Sequence, residues 1–249
     1  MSPDGSHRME TEIYDFAEIL APQDGYEPPV VVGGHAVNLW SGYYLDAGVG
    51  ELAAFMPFTS KDLDLIGSAG LLDRLHILLK GTITRSEPRS PVLGRLEAPR
   101  KQGGVLTIEV LHTVKGLDAK DLARTMEVRI GGVAAQVLLP HLILKAKIEN
   151  VVTIPQDGRS DLKHVRMMIL CVRAFISELV GFLPSGRISE RVVVNLLEET
   201  LGIISGSPAE KAAKMWHFDF SNVWPWEKLR ETGDGKVARW LEHRFPRHR

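Results

Sequence analysis

Asp62 and Asp64 stand two residues apart in the run Thr59-Ser60-Lys61-Asp62-Leu63-Asp64-Leu65-Ile66-Gly67. In a strand, alternate residues leave the same face, so the two carboxylates point together while Leu63 and Leu65 point to the other side. Two neighbouring carboxylates repel each other unless a cation sits between them, which makes the pair a candidate site for Mg²⁺ or Mn²⁺. A third carboxylate on an adjacent strand would complete a two-metal site, in which one ion activates an attacking oxygen and the other steadies a leaving pyrophosphate. Glu109, within Leu106-Thr107-Ile108-Glu109-Val110-Leu111, is the candidate, because it alternates with Ile108 and Val110 and so leaves the apolar face. Upstream, Val30-Val31-Val32 ends in Gly33-Gly34 before a helix-like stretch. Glycines there let backbone N–H groups at a helix N-terminus approach a phosphate, and the helix dipole favours its charge. The run is neither a Walker loop nor Gly-x-Gly-x-x-Gly. An Asp-x-Asp pair or a Gly-Gly turn alone is a weak signal; in this order, they suit a site that holds a nucleoside triphosphate and its metal.

The elements that must position these groups follow from periodicity. Glu10 to Leu20 has helical spacing, and Pro28 and Pro29 lead into a buried strand at Val30 to Val32. A helix is expected from Ala36 to Leu45, a glycine-bearing insertion or mobile lid over residues 46–60, a strand at Leu63 to Ile66, and a helix from Leu71 to Lys80 stopped by Gly81. Strands are expected near residues 82–84, 94–98 and 104–111, and a hairpin at 126–138 turns on Gly131-Gly132. From Pro140 onward helical segments dominate, near 140–150, 161–181, 187–204, 208–215 and 234–244. The expected fold class is α/β (α+β): a mixed β-sheet flanked by helices over residues 1–150, then a helical C-terminal region over 151–249.

Composition narrows the setting. The 249 residues suffice for a well-buried core, and 44% apolar with 24% charged residues is ordinary for a soluble globular protein. A net charge of -1 gives no global attraction to nucleic acid, so any such contact requires a local basic patch. Cys171 is the only cysteine, which rules out an intramolecular disulfide and suits a reducing cytoplasm. Residues 165–183 are interrupted by Arg166, Arg173 and Glu178, a pattern for a core helix rather than a membrane span. No signal-peptide pattern is expected at the N-terminus, and the Gly-Ser-His stretch in residues 1–9, of the kind cloning leaves, is set aside. The histidines and the lone cysteine show no zinc spacing. His35 either touches phosphate, acts as a base, or simply packs. Trp216, Trp224 and Trp226 form core or stack bases, and the basic tail from Arg239 to Arg249 is a solvated terminus or an RNA contact.

Gly-Gly, a helix, Ser-x-Asp-hydrophobic-Asp-hydrophobic and a later isolated acid together resemble the DNA polymerase beta-like nucleotidyltransferase superfamily. The segment from Leu138 through Lys145, Lys147, Arg159, Ser160 and Asp161 is similar to the lysine-then-aspartate segment of its AbiEii-type branch, which includes toxins of toxin-antitoxin systems. The resemblance covers roughly residues 28–170 and implies the nucleotidyltransferase fold. It further implies metal carboxylates at Asp62, Asp64 and Glu109, a phosphate-binding turn at Gly33, Gly34 and Ser60, a triphosphate-contacting lysine at Lys145, and the branch's late acid at Asp161. On the residues alone, Lys145 also suits a solvated helix face, and Asp161 after Ser160 suits a helix start. The chain departs from the family in the long spacing from Gly34 to Asp62 and in a glutamate as third acid. The implied reaction is Mg²⁺-dependent transfer of a nucleoside monophosphate from an NTP to a hydroxyl of a tRNA or a protein, with an antitoxin as partner and no membrane involved. A nucleotide-binding interaction protein on the same fold and a kinase-like phosphotransferase are the alternatives.

Overall fold

The structure, a computed structural model, describes residues 10–21, 28–100 and 103–246; the Gly-Ser-His stretch, Arg247 and Arg249 lie outside the described residues. A 3-10 turn at Ile13–Phe16 runs into α1 (Ala17–Leu20), and β1 (Val30–Val32) passes directly into α2 (Gly33–Asp46). A 3-10 helix (Gly50–Phe55) precedes β2 (Leu63–Ile66), α3 (Ala69–Leu79), β3 (Thr82–Arg85), β4 (Val92–Pro99) and β5 (Val105–Leu111). Next come α4 (Ala119–Leu122), the hairpin β6 (Thr125–Ile130) and β7 (Val133–Leu138), α5 (Pro140–Thr153), α6 (Asp161–Gly181) and α7 (Glu190–Ile204). α8 (Ser207–Trp216), a 3-10 turn (Phe220–Val223), α9 (Trp226–Arg230) and α10 (Lys236–Arg244) complete it.

The strands make one seven-stranded mixed sheet in the order β3-β4-β5-β2-β1-β7-β6. β1 runs parallel to β7 and β2 parallel to β5, while β1-β2, β3-β4, β4-β5 and β6-β7 are antiparallel. The centre of the sheet holds the short β-branched run Val30-Val31-Val32 and the strand in which Leu63 and Leu65 are fully buried. Gly131 and Gly132 turn the hairpin with φ of 51° and 85°, both in the region a two-residue turn requires. At the end of α3 the left-handed position falls to Lys80, φ 52°, and not to Gly81. Gly81 is needed for a different reason: a Cβ there would run into the Glu97 carbonyl of β4.

Two further expectations shift. α2 begins at Gly33, three residues before the expected start, so both glycines belong to its first turn. The stretch from Asp46 to Ser60 is not a loose lid: its 3-10 helix packs on α2 and α6, with Leu52 fully buried and Glu51 accepting from Arg173 at 2.6 Å. Ser60 is tied down as well, exchanging backbone hydrogen bonds with Thr11 at 2.8 and 3.0 Å.

α6 is the structural spine of the C-terminal half. Its Val165, Met168, Val172, Phe175 and Ile176 join one hydrophobic cluster with Val37 and Trp40 of α2, so sheet and C-terminal helices share a core. Trp40 donates from Nε1 to the Leu138 carbonyl at 2.8 Å, linking α2 to the end of β7. Trp224 is buried against Trp240 and Phe245, and Trp216 donates to the Val151 carbonyl at 3.1 Å. In the basic tail, Arg244 forms a two-point pair with Glu198 at 2.9 Å. No described helix is long and apolar enough to cross a membrane.

Candidate functional site

The sheet register brings the predicted acids together. Asp64 pairs across β1 with Val32 and across β5 with Glu109, so residues 45 positions apart in order become lateral neighbours on one face. Asp62 precedes β2 on the same side. Burial first, then the charges of Asp62 and Glu109, push the Asp64 carboxyl up to about 8, against the opposing pull of Lys147 and Arg159.

Gly33 serves this carboxylate directly. Its φ is 66°, and a Cβ on it would overlap the Asp64 carboxyl group. A Cβ on Gly34 would strike Ser60 Oγ and stand 3.4 Å from His164 Cε1. The absence of side chains therefore lets the first turn of α2 close on β2, with its N-terminal N–H groups beside the acids. The result is a cleft of about 230 Å³ between the central strands β2 and β5, the start of α2, and α5 with α6.

The opposite wall is cationic. Lys147 Nζ donates to Asp161 Oδ1 at 2.8 Å, and Arg159 Nε donates to Asp161 Oδ2 at 2.7 Å. Burial raises the Asp161 pKa, but the charge and hydrogen bonds of Lys147 and Arg159 outweigh it and hold the carboxyl down at about 2. Lys61 reaches across to the Gly158 carbonyl at 3.2 Å. Asp161 thus begins α6 as an internal counterion that fixes two cations facing Asp64.

Asp62, Asp64, Glu109, Gly34, Ser60 and Asp161 all line this cleft; Lys145 does not. A helix advances about 100° per residue, so Lys145 and Lys147 leave α5 roughly 200° apart. Lys145 donates instead to Asp121 at 2.8 Å, in a separate cavity with Arg124, His141 and Glu199. Lys147 takes the inward place. The signal was present in the sequence, since Lys147 shares a face with the apolar residues Leu144, Ile148 and Val151, whereas Lys145 does not. Lys61, Arg159 and His164, the last one turn along α6 from Asp161, also line the cleft without having been expected as site residues. Burial, and secondly Lys147, keep the His164 pKa well below the ordinary value, and its buried Nδ1 has no hydrogen-bond partner.

His35 packs behind the site. Its Nε2 lies 3.2 Å from Thr11 Oγ1, its ring stands edge-on to Phe16, and burial lowers its pKa to about 4 despite Asp15.

Glu109 Oε1 accepts from Arg95 Nε at 3.0 Å and from Nη2 at 2.5 Å, directly across β4 and β5. Among the described residues, no three acidic, histidine or cysteine side chains already stand grouped to hold an ion. The donor chemistry nevertheless fits a hard divalent cation at Asp62 and Asp64, two oxygen-donor carboxylates whose mutual repulsion helps to raise the Asp64 pKa. Glu109 would join by leaving Arg95.

No family model matches the chain, and no curated protein matches it. Among solved structures, an antigenic nucleotidyltransferase-like protein from Paracoccidioides brasiliensis is a distant match, 17% identical over 74% of this chain and 83% of that one, with a TM-score of 0.38. A likeness that remote assigns neither an activity nor a residue.

Proposed function

We propose that this chain is a nucleotidyltransferase that moves a nucleoside monophosphate from an NTP to an acceptor hydroxyl and releases pyrophosphate. The observation that carries the reading is the position of Asp64, set between Asp62 and Glu109 on the sheet and facing Lys147 and Arg159 across a cleft that Gly34 lines, with Gly33 packed against the Asp64 carboxyl. An acidic wall opposite a cationic wall suits a bound polyphosphate whose charge is neutralised from both sides. Asp62 and Asp64 would hold Mg²⁺, which when bound supplies charge neutralisation at the phosphates. The first turn of α2 presents N–H donors to phosphate. Lys147 and Arg159, oriented by Asp161, draw charge toward the departing pyrophosphate.

In the chemical step the acceptor oxygen bonds to the α-phosphorus and the α–β bridging P–O bond breaks, its electron pair leaving with pyrophosphate. The hydroxyl proton passes to a carboxylate, for which Glu109 at the open side is suited once it turns from Arg95. The resemblance to the AbiEii-type branch supports a tRNA end or a protein side chain as acceptor, a toxin role opposed by an antitoxin, and work in the cytoplasm.

Incubation with Mg²⁺, cellular RNA and protein, and NTPs labelled at the α or the γ phosphate tests the reading. Transfer of α label that disappears in Asp62→Ala and Asp64→Ala supports it; transfer of γ label alone replaces it with a kinase. The Glu109–Arg95 ion pair favours a second reading, a nucleotide-binding interaction protein without turnover. Tight NTP binding with no label passed to any acceptor establishes that alternative.

A further inference from the structure

α6 begins in the cleft and carries one open face away from it. Val165, Met168, Val172 and Ile176 are buried in the core, while Lys163, Arg166, Leu170, Arg173 and Ser177 recur at spacings of three and four on the other side, each partly or fully exposed. The two acids of this helix are turned off that stripe. Asp161 is held by Lys147 and Arg159, and Glu178 accepts the hydroxyls of Tyr43 and Tyr44 at 3.0 and 2.9 Å. From Lys163 to Ser177 the stripe is about 21 Å long at 1.5 Å per residue.

Its two flanks differ. On one side runs the docked 50–57 segment, where Lys163 donates to the Pro57 carbonyl at 3.3 Å and Arg173 meets Glu51 at 2.6 Å. On the other side Arg166 lies over the Phe218 ring, 5.4 Å from its centroid. At the far end Arg173 and Ser177 join Trp226 and Arg230 around an open groove of about 630 Å³ that also holds Glu227 and the Lys228–Glu231 pair, at 3.0 Å. The stripe itself carries Lys163, Arg166 and Arg173 with no acid, on the helix whose first turn lines the cleft, and it ends at a partly exposed tryptophan, which matches a linear polyanion that also has flat apolar faces.

We propose that this stripe is a track for a single-stranded polynucleotide, whose terminal hydroxyl enters the cleft while a base several nucleotides away stacks on Trp226. The fate of the hydroxyl rests on the nucleotidyl-transfer reading; binding along α6 does not. Because the whole chain carries a net charge of -1, affinity must come from this local line. The Arg173–Glu51 pair is exposed enough to exchange for a phosphate, since Glu51 is 58% exposed.

Fluorescence anisotropy with the full chain and labelled single-stranded RNA and DNA oligonucleotides tests the track. Salt-dependent binding is expected, and Arg166→Gln with Arg173→Gln should flatten the log K against log salt slope by about 0.7 per cation removed. Trp226→Leu should weaken binding about ten-fold, Trp226→Phe should restore most of it, and Glu51→Gln should tighten it. Absence of transfer by the wild-type chain with oligonucleotide binding retained defeats the enzyme reading and not the track. Unchanged binding in the double arginine variant, or tighter binding of polyglutamate than of the oligonucleotide, overturns the track even where transfer to another acceptor persists. If Trp226→Leu lowers the melting temperature, Trp226→Phe and the surface arginine variants carry the test.

Discussion

Replacing Lys147 and Lys145 separately by Met separates two lysines that the sequence places side by side. Each donates to an aspartate at 2.8 Å, but the Lys147–Asp161 side chains are 8% and 3% exposed against 37% and 15% for Lys145–Asp121. Methionine keeps the apolar stem and removes the charge, leaving Asp161 buried with Arg159 as its one ion-pair partner and the Asn150 amide, at 3.4 Å, as a neutral donor. Breaking a buried pair from one side costs about 3–5 kcal/mol, whereas an exposed pair contributes about 0–1 kcal/mol. Linkage gives a consistent scale: holding Asp161 near about 2, against an ordinary 3.8, corresponds to roughly 2 kcal/mol at neutral pH, shared between Lys147 and Arg159. Urea unfolding at neutral pH should therefore show Lys147→Met losing about 3 kcal/mol and Lys145→Met no more than about 1 kcal/mol. The folded pKa of Asp161 lies below its unfolded value, so its contribution is full above about 3.8 and disappears as pH falls through about 2. The gap between wild type and Lys147→Met should close over that interval. NTP affinity, measured by titration, should fall in Lys147→Met only. An equal or larger stability loss in Lys145→Met, or a gap that persists at the acid end, refutes the assignment of Lys147 to the cleft.

Gly33→Ala forces a side chain into a left-handed position at about 1–2 kcal/mol and drives its Cβ into Asp64, so nucleotide transfer should be lost while circular dichroism still shows a folded chain; retained turnover contradicts the close approach. His35 is held neutral by burial with a pKa of about 4 against 6.5, so the stability it contributes is complete above about 6.5 and drains away as pH falls through about 4. His35→Gln should flatten that limb of the stability profile, and identical profiles would count against its burial. Leu52→Ala should cost about 2–5 kcal/mol in urea unfolding because the 3-10 helix is anchored by that side chain; a loss below about 0.5 kcal/mol would restore the mobile lid. Glu109→Gln should stop transfer with NTP affinity little changed, and undiminished transfer would remove Glu109 from proton transfer.

Much of the fold was legible because local signals were redundant. The Val30–Val32 run, the Gly131-Gly132 turn and the α6 span each combine composition with periodicity, and the observed α6 covers the expected residues 161–181. Of the two readings of the 46–60 stretch, insertion or mobile lid, the packed 3-10 helix disfavours the second, and its order comes from distant partners, α2 and α6, that glycine content cannot reveal. Gly81 was assigned the left-handed stop from a local rule, while the structure spends that glycine on contact with β4.

At the site, residue type and period by themselves determined that Asp62 and Asp64 share a face and that a glycine pair opens a helix, since both follow from backbone geometry within a few residues. Tertiary structure decided the rest. Strand order made Glu109 a lateral neighbour of Asp64 and also gave it Arg95 as a partner. The rotation of α5 turned Lys147 inward to Asp161 and sent Lys145 to Asp121. Those pairings depend on which elements pack together, and energies between residues far apart in order leave no mark on the local pattern of a sequence.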